Sequence, residues 1–186
     1  TVSIFDPKFL TSLSRMKEKN LAYELLRKLI DDQIKGYRKK SVAQAKKYSE
    51  LMRGMVNSYL NGQLTNAEVF EEMLKMAKEM LSENQKAKEL GLTDEEFAFY
   101  EALTQPHALA DYYRERNDEL VAITQELATK MREMRTVDWQ KKQSARAAMR
   151  VAIKRLLKHH KYPPEGMESA LSTAMEQCEL WADNAA

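Results

Sequence analysis

The sequence predicts an all-α domain of about seven or eight amphipathic helices, without a sheet. Among 186 residues only five are glycine and four are proline, whereas good helix formers such as alanine, leucine, glutamate and lysine abound. Apolar residues recur at intervals of three and four, and no run of β-branched residues alternates with polar ones. All four prolines and most glycines fall between the predicted helices, so the breakers and the periodicity agree.

The chain is expected to be one helical domain of a larger protein, spanning residues 1–186. Residues 1–19 are expected to be a partly irregular lead-in, and residues 138–186 a basic helix plus a terminal helix. Thr1 begins the sequence without an initiator methionine or a targeting segment, which indicates a boundary inside a longer chain. The single cysteine, Cys178, favours a reducing compartment, so we expect the cytoplasm. No run approaches the roughly 18 apolar residues of a membrane span.

Two helices are predicted in the first third of the chain. Apolar spacing predicts the first over residues 20–34, with Asn20 as its N-cap. A basic break is expected over residues 35–40. Ser41 is then placed to cap a second helix, and Gly62 is placed to end it.

Two capping boxes predict the next helix starts. In Thr65 to Glu68 and in Thr93 to Glu96, a threonine hydroxyl and a glutamate carboxylate are spaced to satisfy exposed backbone amides. Pro106 is expected to end the helix that begins after Thr93. Three methionines of the third helix are expected in the core rather than in a binding groove: Met73, Met76 and Met80. Three aromatic residues of the fourth helix are not expected to all point inward, which would leave one exposed: Phe97, Phe99 and Tyr100.

The last third of the chain predicts three more helices. The first begins at Asn117 and ends at a break near residues 136–137, where Asp138 can cap the next helix. That next helix is predicted over residues 139–160. A proline pair at 163–164 ends it and starts a last helix. The apolar residues of the last helix are Met167, Leu171, Met175, Cys178 and Trp181.

Positive charge is concentrated in residues 130–161. This region holds eleven lysine and arginine residues against two acidic ones, a net charge of +9. Because the whole chain carries +2, the rest of it sums to −7. Five cations recur at every fourth position, which predicts a row along one face of a helix with charges about 6 Å apart. These candidate binding residues are Lys142, Arg146, Arg150, Lys154 and Lys158.

Two kinds of partner could relieve the repulsion within this row, which costs on the order of a few tenths of a kcal/mol per pair. One is acidic protein surface, within the domain or on a neighbour. The other is a phosphate backbone, because a row of cations releases counterions when it binds one. No base-reading motif accompanies the row, so a DNA contact is expected to be insensitive to sequence. The alternatives are therefore an assembly module that contacts nucleic acid and a domain that docks only to proteins.

No catalytic or metal site is expected in this segment. His107, His159 and His160 lack ligand spacing, and the last two are expected near a helix C-terminus, where the helix dipole favours them when protonated. The acidic clusters fall at helix starts or on polar faces, where capping and solvation explain them. No phosphate-loop, dinucleotide-binding or nucleophile signature is present. Whether an exposed helix start binds a nucleotide or another anion is left open.

Three stretches of the sequence are distinctive. Residues 90–103 read LGLTDEEFAFYEAL, and residues 20–30 read NLAYELLRKLI. Residues 138–164 combine Asp-Trp-Gln-Lys-Lys with a basic helix that is closed by Tyr-Pro-Pro. Together they resemble the C-terminal helical domain of the restriction (motor) subunit of type I restriction-modification enzymes.

The resemblance implies a helical domain that helps to hold the motor subunit on the methyltransferase core and contacts its other domains. It also implies that this domain lies near the double-stranded DNA that the motor pulls. The parent subunit of such enzymes is an ATP-dependent deoxyribonuclease and translocase. Because its nuclease and motor domains precede this region, ATP and magnesium are expected there and no cofactor is expected in this segment. No functional residue is carried over from the family, so the five candidate cations rest on spacing alone.

Overall fold

Helices make up most of the described chain, which confirms the predicted all-α fold. The computed structural model describes residues 6–104, 107–135 and 139–185, and these ranges contain no strand. Short 3-10 turns at Trp139–Lys141 and Pro164–Gly166 precede the last two α-helices. The α-helices within the described ranges are α1 (Pro7–Arg15), α2 (Lys19–Lys40), α3 (Val42–Leu60), α4 (Asn66–Glu89), α5 (Asp94–Leu103), α6 (His107–Tyr113), α7 (Asn117–Met134), α8 (Gln143–His159) and α9 (Met167–Ala185).

Both predicted capping boxes form. The amide of Glu68 donates to the hydroxyl of Thr65, and the amide of Thr65 donates to the carboxylate of Glu68, each over 3.2 Å. Thr93 and Glu96 exchange the same two hydrogen bonds over 2.9 and 3.1 Å. Gly91, just after α4, has a φ of 68°, which glycine adopts more readily than other residues. Local sequence therefore determines where α4 and α5 begin.

The first helices extend beyond their predicted ends. Helix α1 lies within the predicted lead-in. Helix α2 begins one residue before Asn20, so the prediction of Asn20 as an N-cap is wrong. The predicted break over residues 35–40 is also wrong, because α2 continues to Lys40 and the buried Tyr37 extends its apolar stripe. Ser41 separates α2 from α3, as predicted.

The described chain divides into two compact units. Unit 1 comprises Thr1–Arg38 and Gln44–Glu89, and unit 2 comprises Lys39–Ala43 and Leu90–Ala186. Residues 39–43 connect α2 to α3. This short junction is part of unit 2, which contains α5 to α9, whereas the rest of α2 and α3 is part of unit 1. That residues 1–186 form a single domain stays a prediction.

Helices α1 to α4 enclose the core of unit 1. Helix α1 packs against α4 through Leu10 and Leu13, which are both buried. The three methionines of α4 are buried in the same core, which confirms their prediction as core residues: Met73, Met76 and Met80. Tyr37 of α2 stacks on Tyr48 of α3, with 5.5 Å between ring centroids.

A polar cluster lies at the edge of the unit 1 core. Nζ of Lys47 lies 2.7 Å from Oε1 of Glu79 and 2.6 Å from Oε1 of Glu83. The side-chain amide of Gln44 donates to Glu83 over 3.0 Å. Burial lowers the pKa of Lys47, but the hydrogen bonds to the two carboxylates outweigh burial and raise that pKa above its ordinary value. Lys47 therefore stays protonated at neutral pH and acts as a structural ion-pair partner.

Helix α5 lies at the centre of unit 2, and its apolar and aromatic residues from Phe97 to Leu103 are buried. It packs against both α7 and α9. Phe97, Phe99 and Tyr100 are all buried, so the prediction that one of them is exposed is wrong. Phe99 meets Trp181 of α9 edge to face, with 4.8 Å between ring centroids, and Phe97 stacks on Tyr100. Helix α5 is therefore covered on two faces, one by α7 and one by α9. A helix that packs on one side only would leave one of these faces in water.

A buried glutamine of α9 holds the junction between α2 and α3. The side-chain amide of Gln177 donates to the carbonyl of Lys40 over 2.7 Å, and its oxygen accepts from the amide of Val42 over 2.8 Å. Lys40 ends α2 and Val42 begins α3. One side chain therefore satisfies a carbonyl at a helix C-terminus and an amide at a helix N-terminus, which have no partners within their own helices.

The prediction of a last helix after the proline pair is confirmed. Helix α9 follows the 3-10 turn that begins at Pro164, and its predicted apolar residues are all buried. Helix α6 was not predicted. Pro106, the predicted break at 136–137 and the predicted cap Asp138 lie outside the described residues. The hydroxyl of Tyr162, just before the proline pair, donates to the carbonyl of Leu103 over 2.7 Å.

Candidate nucleic-acid interface

The basic helix α8 begins later than predicted. Trp139–Lys141 forms a 3-10 turn, and Lys142 is the N-cap of α8, with an extended backbone (φ −99°, ψ 110°). Trp139 is only 1% exposed, so its indole ring anchors this turn in the interior of unit 2. The predicted continuous helix over 139–160 is therefore wrong in its first turn, and Lys142 lies outside the regular helix.

The candidate cations wind around α8 and do not follow one face. A step of four residues advances about 40° around an α-helix, so Arg146, Arg150, Lys154 and Lys158 spread over about 120°. The buried side of α8 is formed by Met149, Ile153, Leu156 and Leu157. Arg146 lies beside this buried side, whereas Lys158 lies nearly opposite to it. The predicted row therefore contributes to two different surfaces.

Two of the five candidate cations pair with acidic residues of α9. Arg146 forms an ion pair with Glu179. Nη2 of Arg150 lies 3.2 Å from Oε2 of Glu168. Both pairs are partly exposed, so each stabilises the fold by about 0–1 kcal/mol. Acidic surface within the domain, one of the two partners considered for the row, therefore neutralises the α9 side of α8.

The other three candidate cations face solvent. Lys142, Lys154 and Lys158 are exposed, and none forms an ion pair within the part of the chain that the structure describes. Lys154 and Lys158 lie one turn apart on the outer side of α8. We call these three residues the outer lysines. They are the members of the predicted row that remain available to an anionic partner.

A groove of about 900 Å³ separates α8 from α7. Its apolar lining includes Val151, which is 55% exposed, and the small side chains of Ala148 and Ala152. Charged residues stand along both edges: Glu126, Lys130 and Glu133 on α7, and Arg155 on α8. This groove was not predicted from the sequence, although an apolar Val151 on the polar side of a basic helix is a signal that could have indicated it.

His159 and His160 lie at the end of α8, as predicted. His159 is the last residue of α8 and His160 is its C-cap. Nε2 of His160 lies 2.5 Å from Oε2 of Glu126 on α7, which joins the two helices at one end of the groove. His160 therefore has a structural contact in unit 2.

The described residues contain no group of three or more His, Cys, Asp or Glu side chains placed to hold a metal ion. Burial raises the pKa of the Cys178 thiol to about 12, so this thiol is protonated at neutral pH and is a poor nucleophile. None of the described helices combines the length and the apolar character that crossing a membrane requires.

Comparison with known proteins identifies relatives over almost the whole chain. Residues 1–184 match the family model described as "Type I restriction enzyme HindI endonuclease subunit-like, C-terminal". The type I restriction enzyme HindI endonuclease subunit of Haemophilus influenzae is 30% identical over 98% of this chain. A putative type I restriction enzyme MjaIXP endonuclease subunit of Methanocaldococcus jannaschii is 29% identical over 84% of it. No solved structure matches the chain significantly.

The matched region is a small part of each relative. The alignments cover 17% of the Haemophilus protein and 15% of the Methanocaldococcus protein. The family model is defined for the C-terminal region of such subunits, and it accounts for both units of this chain. The chain therefore belongs to the family of C-terminal regions of type I restriction enzyme HindI endonuclease subunit-like proteins.

Proposed function

We propose that this chain is a non-catalytic module of a type I restriction endonuclease subunit. In this proposal it supports assembly of that subunit on the methyltransferase core, and it contacts double-stranded DNA without reading the base sequence. The observation that carries the DNA contact is the set of outer lysines, which lie exposed on α8 and have no anionic partner among the described residues. The module works in the cytoplasm and without a cofactor of its own, and ATP and magnesium act in other domains of the parent subunit.

The proposed DNA contact is electrostatic. Lysine side chains that neutralise phosphates release condensed counterions, which favours binding to any duplex. Arg146 and Arg150 contribute less to this contact, because each must first leave the carboxylate of Glu179 or Glu168. The contact is therefore weaker than five unpaired cations would give, and it serves a module that accompanies DNA rather than one that selects a site.

The outer lysines are tested by neutral substitution. The variant Lys154→Gln/Lys158→Gln is expected to weaken binding to short fluorescent duplexes of unrelated sequence by roughly tenfold to hundredfold near 0.1 M salt, since each lost phosphate contact costs about tenfold there. Fluorescence anisotropy measures the affinity, and circular dichroism confirms that the variant folds.

Two further variants serve as controls for this experiment. Lys28→Gln/Lys35→Gln removes the same charge from exposed positions of α2 in unit 1, and it is expected to change the affinity by less than about threefold. Arg146→Gln/Arg150→Gln removes the paired cations and is expected to cost less than the loss of the two lysines. Equal losses in all three variants would show a general effect of net charge and would contradict the proposal.

A domain that docks only to proteins is the second candidate function. The observation that favours it is the groove between α7 and α8, whose exposed Val151 contributes nothing to a phosphate contact. The two candidates differ in the residues of α8 that they use. DNA binding depends on Lys154 and Lys158, whereas protein docking depends on the groove lining around Val151.

A further inference from the structure

The groove between α7 and α8 can accommodate a third helix. Glu126 and His160 join the two helices at one end, and Met134 and Ala148 lie together at the other, so the helices run antiparallel along the groove. Its lining alternates small and branched side chains, with Ala148 and Ala152 flanking Val151. Small side chains let a neighbouring helix approach closely, and two packed helices form a groove into which the ridge of another helix fits.

The groove lining includes an exposed, branched apolar side chain. Val151 leaves 55% of its surface in water, although its neighbours on the outer side of α8 are the charged Lys154 and Lys158. Covering an exposed branched side chain that lies beside alanines lowers the free energy of binding when the partner is apolar. A duplex would present phosphates to this surface, and phosphates do not cover apolar side chains. The lining therefore favours a protein partner over nucleic acid at this groove.

The charges along the groove indicate the character of that partner. Lys130 stands on the α7 edge and Arg155 on the α8 edge, and neither has an ion-pair partner within the described residues. Glu126 is engaged by His160, so Glu133 is the one acidic group of the lining without such a contact in the described chain. Both edges thus offer a cation to whatever lies between them. A partner with acidic residues on either side of an apolar stripe would complement Lys130 and Arg155, and Glu133 would face a neutral or basic residue of that partner.

We propose that the groove between α7 and α8 binds an amphipathic helix of a protein partner, with an apolar stripe facing Val151 and acidic residues facing Lys130 and Arg155. This proposal rests on the assembly role proposed above and specifies the surface and the chemistry that perform it. The DNA contact uses Lys154 and Lys158, which lie on the outer side of α8 near Val151 but do not line the groove. One helix thereby serves two partners through two different sets of residues.

The test uses the full chain and two synthetic amphipathic helices with the same leucine stripe, one flanked by glutamates and the other by lysines. The glutamate-flanked helix is expected to bind at least about tenfold more tightly than the lysine-flanked one in fluorescence anisotropy, because Lys130 and Arg155 attract it. The neutral variant Ala148→Gln, which fills the groove from an exposed position, is expected to weaken that binding at least about tenfold.

Ala147→Gln is the matched control, because Ala147 is also exposed on α8 but does not line the groove. This variant is expected to bind the glutamate-flanked helix as tightly as the unmodified chain does.

The proposal is overturned if the two helices bind equally, or if Ala147→Gln weakens binding as much as Ala148→Gln. Loss of duplex binding in Ala148→Gln would also overturn it, because it would assign the groove to DNA. Loss of duplex binding only in Lys154→Gln/Lys158→Gln, with helix binding kept, supports both proposals. Failure of helix binding with duplex binding kept overturns the groove alone.

Discussion

Replacing Phe99 with alanine is expected to lower the free energy of unfolding by about 3–5 kcal/mol, which is typical of removing a buried aromatic ring. Phe99 has no exposed surface and meets Trp181 edge to face, so its loss leaves a cavity between α5 and α9. Because α5 packs against α7 and α9 together, its neighbours cannot collapse onto the cavity without leaving other contacts. The effect is therefore expected near the upper end for a single substitution.

Urea unfolding followed by tryptophan fluorescence measures this effect. Both tryptophans of the chain, Trp139 and Trp181, lie in unit 2, so the signal reports the unit that contains Phe99. Val151→Ala is the control, because Val151 is largely exposed in the same unit and its truncation is expected to cost less than about 0.5 kcal/mol. Similar costs for Phe99→Ala and Val151→Ala would contradict the placement of α5 at the centre of unit 2.

Replacing Gln177 with leucine is expected to lower the free energy of unfolding by about 2–4 kcal/mol. Leucine is similar in size but neither donates to the carbonyl of Lys40 nor accepts from the amide of Val42. Each buried polar group left without a partner costs about 1–3 kcal/mol. The indole N–H of Trp181 also donates to the carbonyl of Lys40 over 3.4 Å. Because this carbonyl keeps one hydrogen bond in the variant, the expected loss is below the sum for two groups.

Amide hydrogen exchange adds a local readout to the unfolding measurement for Gln177→Leu. The amide of Val42 is expected to exchange faster than in the unmodified chain, because it loses its acceptor. Gln125→Leu provides the control, since Gln125 is exposed on α7 and its replacement is expected to change stability by less than about 0.5 kcal/mol. Unchanged protection of Val42 would show that Gln177 does not hold the junction between α2 and α3.

The features that sequence predicted correctly depend on residues close together in the chain. The box of Thr93 and Glu96 is a contact over three residues, so its pattern alone fixes the start of α5. The same holds for Gly91, whose positive φ ends α4. The burial of Phe99 depends on α9, which begins more than sixty residues later. Periodicity within α5 could not show that a second helix covers its other side.

The candidate site was predicted in part for the same reason. Spacing placed the five cations on one basic segment, but the drift of about 40° per step sends them to different sides of α8. Pairing of Arg146 with Glu179 depends on the packing of α8 on α9, which spacing within one helix does not encode. The 3-10 turn that holds the buried Trp139 delays the start of α8 to Lys142, and Gln177 carries no motif that marks its role.

The most direct test of the central claim is the salt dependence of duplex binding by the unmodified chain. If the three outer lysines carry the contact, the logarithm of the association constant should fall against the logarithm of the salt concentration with a slope of about −3, because each neutralised phosphate contributes about −0.9. A slope near zero would contradict a phosphate contact through α8. A slope of about −4.5 would contradict the pairing of Arg146 and Arg150 with α9, since it requires all five cations on the DNA.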